Sequence, residues 1–221
     1  MRTIVPVALW ICGLSLTATA QDRKRLPDVS TTIKGDLALP IPLNNPLFSS
    51  ITETVGMLGA TIQFPIYKGL GAGVGANMSW FAIEERALAP VITSGEIRRA
   101  HYFGKVQYER YTGERTFYEL HGRLGVASYV YECASCPDEA PASAFHWGAG
   151  VGYYLHATDN LAFGLTMTYE MDNTRFSASD LGLESFPGRR EVAEDANYQS
   201  LIFGMTFSTR LRRSPDNDMG W

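Results

Sequence analysis

Nine ionisable side chains share a pattern of spacing. Lys34, Asp36, Lys105, Glu109, Glu119, His121, Arg123, Glu170 and Asp172 all fall on one parity of stretches whose other parity is apolar. Such a set can do three kinds of chemistry. Paired, it fills a narrow interior with salt bridges and hydrogen bonds. Spaced apart, it lines an ion path. A third possibility joins Asp172 to Ser79, His101 and His146, which share its parity, in a Ser/His/Asp constellation of the hydrolase kind. Ser79 and His101 sit on one pair of neighbouring stretches, and His146 and Asp172 on another, so the two halves are expected on opposite sides of the interior. No motif accompanies them, and no catalytic residue is assigned. Cys133 and Cys136, in Cys-Ala-Ser-Cys, are expected to form a disulfide in an oxidising compartment. A metal centre there would need two further ligands, and that loop holds no histidine, so neither a metal nor a cofactor is expected.

The elements that position these groups are legible in Phe145–Asp172. Trp147, Ala149, Val151, Tyr153 and Leu155 alternate with His146, Gly148, Gly150 and Gly152. After a polar Thr158-Asp159-Asn160 break, Leu161, Phe163, Leu165, Met167, Tyr169 and Met171 alternate with Gly164, Thr166, Thr168, Glu170 and Asp172. A period of two with a tight break specifies a β-hairpin. The same unit recurs along the chain, giving expected strands at 31–42, 54–67, 70–83, 99–111, 115–131, the two of the hairpin, and 198–211. Long connections follow the first, third, fifth and seventh strands, and tight turns follow the second, fourth and sixth. An even strand number with that alternation specifies an all-β, eight-stranded, antiparallel up-and-down transmembrane β-barrel with both termini on the short-turn side.

Aromatic residues give a second check. On the apolar parity, Trp80, Tyr102, Trp147 and Tyr169 come near the long-loop ends, and Phe64, Tyr108, Tyr118, Tyr153, Phe163 and Phe207 near the tight-turn ends. Two such rings are the girdles expected at the two membrane interfaces. No Asp, Glu, Lys or Arg lies between them on that parity. An eight-stranded barrel has an interior just wide enough for side chains to fill. The nine ionisable groups are therefore expected to pair as a plug, the inward glycine rows making room for Arg123, Tyr129, Tyr154 and Phe81. A gated narrow pore is the alternative. A soluble barrel with its apolar face inward would leave the glycine rows and both girdles unexplained.

The chain has 221 residues, 45% of them hydrophobic, and a formal net charge of -4. That charge is small and mixed, which argues against a nucleic-acid partner. The mean hydropathy of -0.09 is compatible with alternating strands, whose faces average out. Arg2, the apolar run Ile4–Leu16 and Ala18-Thr19-Ala20 form an expected signal peptide, residues 1–20, followed by a periplasmic linker at 21–30, the barrel at 31–211 and a polar periplasmic tail at 212–221. The loop at 177–197 carries Arg189, Arg190, Glu191 and Glu194 and is expected to be a solvated, exposed segment.

With this architecture and signal peptide, the chain resembles the small outer-membrane β-barrels represented by the OmpA transmembrane domain and OmpX. No short motif carries the resemblance. It implies an integral bacterial outer-membrane protein, surrounded by outer-membrane lipid and lipopolysaccharide and able to contact another outer-membrane protein. The family spans structural, adhesion and resistance proteins, narrow pores and a few lipid-modifying enzymes, so membership does not select a role. A non-enzymatic structural or loop-mediated role is the first expectation, a lipid-modifying hydrolase or acyltransferase the second, and a narrow ion pore the third. Many such barrels end in an aromatic residue read by the assembly machinery. Here Phe207 and Trp221 compete for that part.

Overall fold

A computed structural model describes residues 30–136, 142–186 and 197–211. The expected signal peptide, all of the linker but Ser30, the tail with Trp221, and Arg189, Arg190, Glu191 and Glu194 lie outside the described residues. Eight antiparallel strands close into one barrel in sequence order. They are β1 (Thr32–Pro42), β2 (Thr52–Tyr67), β3 (Leu70–Ile83), β4 (Gly95–Tyr111), β5 (Thr116–Cys133), β6 (Ala142–His156), β7 (Leu161–Asp172) and β8 (Tyr198–Arg210). Closure is made by β1 on β8, with Lys34 opposite Ser208 and Asp36 opposite Thr206.

Alternation sets which face each residue takes. Val74, Val106, Leu124 and Leu165 are 60–70% exposed on the outside. Their neighbours of opposite parity, such as Lys105, Glu119 and Arg123, are buried inside. This is the inverse of a water-soluble protein, in which large contiguous apolar surface is rare. The β2–β3 hairpin turns through Lys68 and Gly69, both with positive φ (41° and 88°). That is the backbone a two-residue hairpin of matching twist requires, and glycine supplies it without steric cost.

The long connections differ from the expected loops. Residues 44–50 are not plain loop: Pro46–Ile51 forms a short helix, α1, whose Asn45 side chain accepts a hydrogen bond from the Phe48 amide at 3.0 Å. Asparagine at the cap followed by proline is a helix-start signal. A one-turn helix, α2, covers Glu85–Leu88, and a 3-10 turn covers Ala178–Leu181. The strands β4 and β5 also run further than expected, to Gly95 and Cys133. These pieces fold over the long-loop end. Phe48, Ile51, Phe81, Ile83, Leu88, Ile92, Ile97, Phe176, Leu181 and Tyr198 share one apolar cluster there. The Phe48 ring lies 5.1–5.4 Å from those of Phe81, Phe176 and Tyr198, edge to face in each case. A second, smaller cluster of Tyr111, Phe117, Tyr154 and Ala162 closes the tight-turn end.

Glycine rows inside the barrel answer to large neighbours, of which Tyr154 alone is among those expected. The atoms nearest a side chain at Gly71, Gly75, Gly152 or Gly164 include those of Gln107, Phe103 and Tyr154, not of Arg123, Tyr129 or Phe81. A Cβ at Gly164 would fall 2.3 Å from Tyr154 Cδ1. Tyr154 is itself 1% exposed and stacked 4.7 Å from Phe117, so it has nowhere to retreat. Gly164→Ala should therefore cost about 1–3 kcal/mol by overpacking. Urea unfolding in lipid vesicles measures this, and Tyr154→Leu in the same chain should recover part of the loss. An unshifted midpoint for the single variant would show that Tyr154 does not fill that space.

Candidate functional site

Among the described residues, the charged lumen is where the barrel gathers its ionisable groups. Four cations, Lys34, Arg99, Lys105 and Arg123, and four carboxylates, Glu109, Glu119, Glu170 and Asp172, are each at most 6% exposed. Burying a charge without a partner is strongly unfavourable, so opposite charges must meet. They do so in two tiers.

The lower tier centres on Glu119, 0% exposed. Lys34 donates to Glu119 and, at 3.0 Å, to Glu109. Lys105 donates to Glu119 at 2.7 Å, and His121 Nδ1 lies 3.0 Å from the same carboxylate. The Lys34 ammonium also sits 4.4 Å from the Tyr154 ring centroid, a cation–π contact made stronger by the dry surroundings. These residues come from β1, β4, β5 and β6, so the Glu119 carboxylate ties β1 to β4 and β5, strands with which β1 shares no ladder. Asp36, half-buried, accepts from the Thr206 hydroxyl at 2.6 Å.

The upper tier centres on Glu170 and Asp172, two residues apart on β7. Arg123 donates to Glu170 at 3.2 Å and stacks 4.8 Å from the Phe103 ring. Tyr129 donates to Asp172. Arg99 lies 3.8 Å from Asp172 and donates to Ser200 at 3.2 Å. His101 Nε2 and His146 Nδ1 stand 3.0 and 2.6 Å from the two oxygens of Asp172.

That last contact corrects an expectation. His101 was expected across the interior from His146 and Asp172. Instead the three meet, because a lumen this narrow brings β4, β6 and β7 within side-chain reach. Ser79 does not complete a catalytic set. It is opposite Arg99 in the β3–β4 ladder, while His101 is opposite Asn77. Its hydroxyl has no hydrogen-bond partner, and it is 0% exposed beneath the cap. Arg99 is not among the nine expected groups; its inward parity at the first residue of the expected 99–111 strand is the signal that could have found it.

Outside, Trp147 and Tyr169 touch at 5.6 Å near the long-loop end, and Phe163 and Phe207 at 5.3 Å near the tight-turn end. Tyr102, Phe64, Tyr153 and Phe163 are exposed; Trp80, Tyr108, Tyr118, Trp147, Tyr169 and Phe207 are half-buried. Cys133 and Cys136 are joined by a disulfide that packs against the cap. Among the described residues no helix is long and apolar enough to cross a membrane, which says nothing of strands.

No protein-family model and no curated protein matches the sequence. Among solved structures, neisserial surface protein A is similar over 81% of this chain and 96% of its own, at 9% identity and a TM-score of 0.49. The outer membrane protein OprG of Pseudomonas aeruginosa is similar over 84% and 98%, at 12% identity and 0.42. Ail, the attachment invasion locus protein of Yersinia pestis, in complex with the heparin analogue sucrose octasulfate, is similar over 81% and 97%, at 11% identity and 0.39. Scores this low carry no argument about role, and the fold rests on the chain's own strand pairing. By that pairing the chain is a closed, eight-stranded, antiparallel up-and-down β-barrel, apolar outside and charged within, similar in overall architecture to the small outer-membrane barrels.

Proposed function

We propose that this protein is an integral barrel of the bacterial outer membrane, both termini periplasmic, with a sealed lumen and a non-enzymatic role exercised through its exterior. The observation that carries the reading is the inverted burial: large aliphatic side chains face out between two bands of aromatics, while lysines, arginines and carboxylates face in. A lipid environment is what makes that distribution favourable. The lumen's own geometry supports the sealed state. Ion pairs fill the middle, one aromatic cluster covers the long-loop end, and another covers the tight-turn end. An enzyme of the lipid-modifying kind gains no support, since the histidines are engaged with Asp172 under the cap and Ser79 stands apart from them.

The partners proposed are outer-membrane lipid and lipopolysaccharide at the girdles and the rim, with another outer-membrane protein as a further contact. The rim offers Arg98, which pairs with Glu132 and lies 3.7 Å from Glu96.

The test uses the outer face. Val74 is on the outer face of β3, between Leu70 at the tight turn and Trp80 of the long-loop aromatic band, and is 60% exposed. Val74→Arg should cost about 2–4 kcal/mol when the barrel unfolds from a bilayer, the penalty for a cation at the midplane. If water bathed that face, the change would stay within about 0.5 kcal/mol, as for an ordinary surface substitution. A stability unchanged in vesicles, or a mature protein that stays monomeric and folded without detergent, rejects the membrane reading. Planar-bilayer recording of the unaltered protein should show no discrete conductance, and steady single-channel steps would reject the sealed lumen.

A further inference from the structure

Two imidazoles are sandwiched between two carboxylates in the upper tier. The rings of His101 and His146 are 4.0 Å apart and 20° from parallel. One nitrogen of each faces Asp172: His101 Nε2 at 3.0 Å and His146 Nδ1 at 2.6 Å. The other nitrogen of each faces Glu170, at 3.5 Å for His101 Nδ1 and 4.0 Å for His146 Nε2. His101 Nδ1 also lies 2.8 Å from Asn77 Oδ1. His101, His146 and Asp172 are 0–1% exposed, and their potential ligand atoms all lie within 4.8 Å of one another.

A neutral imidazole has one N–H and one lone pair. Each ring here has oxygen atoms at both ends. Whichever nitrogen keeps its proton, the other aims a bare lone pair at a buried oxygen. The conflict shows as orphaned atoms: His146 Nε2 and Glu170 Oε2 are buried without a hydrogen-bond partner. Protonating both rings would stack two cations beside Arg99 and Arg123, which like-charge repulsion opposes.

A single dication on the Asp172 side removes the conflict. It takes His101 Nε2, His146 Nδ1 and an Asp172 oxygen. The distal N–H of His101 then donates to Asn77 Oδ1, and that of His146 points at Glu170. A distal N–H held by a carboxylate or carbonyl is what orients metal-ligating histidines generally. Bonds of about 2.0–2.1 Å in a tetrahedron separate ligand atoms by roughly 3.3 Å, within the span available here. The Tyr129 hydroxyl donates to the same Asp172 carboxylate. Two imidazoles and one carboxylate favour a borderline transition metal over magnesium or calcium.

We propose that His101, His146 and Asp172 form a buried site for one divalent transition-metal ion, fastening β4, β6 and β7 beneath the cap. The inference does not depend on what surrounds the barrel. The rival arrangement turns the Asn77 amide over, so that its Nδ2, otherwise without a partner, donates to His101 Nδ1 and His101 donates through Nε2 to Asp172. That needs no ion, yet with His146 Nδ1 donating to Asp172 it turns the bare lone pair of His146 Nε2, rather than an N–H, towards the Glu170 carboxylate.

The full chain, unfolded with chelator and refolded in detergent with cobalt(II), decides between them. After desalting, the folded protein should hold about one cobalt per chain, with visible ligand-field bands of a low-coordinate N/O site, and zinc should displace it. His146→Gln and Asp172→Asn, folded as judged by heat-modifiable migration, should each lose the ion and the bands. Folded wild-type protein retaining less than about a tenth of an equivalent overturns the site, as does equal retention in both variants. The wild-type stoichiometry stands even where a variant fails to fold.

Discussion

Glu119→Gln should be the most damaging single substitution in the barrel, lowering stability by about 3–5 kcal/mol, the cost of leaving a buried charge without its partner. The change removes one negative charge and no volume, so packing is not the cause. Glu119 is 0% exposed and faces Lys34, Lys105 and His121. Lys34 keeps Glu109 at 3.0 Å. Among the described residues Lys105 pairs with no second carboxylate, so it carries most of the loss. Glu119→Gln combined with Lys105→Met should therefore recover much of the stability, because an apolar replacement of a buried pair is often neutral or better. The double-mutant cycle by urea titration in vesicles isolates the pair from the rest of the tier. If the double variant is no more stable than Glu119→Gln alone, the charge argument fails and the tier is held by packing.

How far this was legible in the sequence depends on the physics that fixes each feature. A period of two fixes face, so the inward placement of Glu119 and the outward placement of Val74 follow from alternation alone. Where a strand ends is less visible, because β4 and β5 continue past the apolar zone on polar residues such as Glu96, Arg98 and Glu132. The register shift between Thr54 and Gly56 in β2 has no sequence signature beyond a glycine. Asn45-Pro46 is a helix-start signal, but the six-residue helix that follows is too short to show a helical period. The meeting of His101 with His146 and Asp172 could not be read at all. It depends on strand tilt and stagger, which decide the height of each inward residue, and these are set by closure of the whole barrel rather than by any local stretch. The cap was hidden for a related reason. Phe48, Ile92, Phe176 and Leu181 are scattered over several loops, and only the closed barrel brings those loops together.

That cap gives the second large effect. Phe48 is 2% exposed and makes edge-to-face contacts with three rings, Phe81 from β3, Phe176 from the last long loop and Tyr198 from β8. Phe48→Ala should cost about 3–5 kcal/mol, combining lost transfer energy with an unfilled cavity. The loss should be local. Elements with few ladder hydrogen bonds open before strands do, so hydrogen exchange should quicken in Pro46–Ile51, in Ala178–Leu181 and near Leu88, while β5 and β7 keep their protection. Conductance is the informative readout. The cap covers only the upper end; beneath it Lys34 of β1 still reaches Glu109 of β4 and Glu119 of β5 across the lumen, and Arg123 of β5 still reaches Glu170 of β7. Phe48→Ala should therefore loosen the loops and leave the bilayer current at baseline. Discrete current in that variant would mean that the cap alone closes the tube and that the ion pairs are merely its lining. Current appearing only when Phe48→Ala is combined with Glu119→Gln would place the barrier in the charged tier, because only then are both the lid and the central cross-braces weakened.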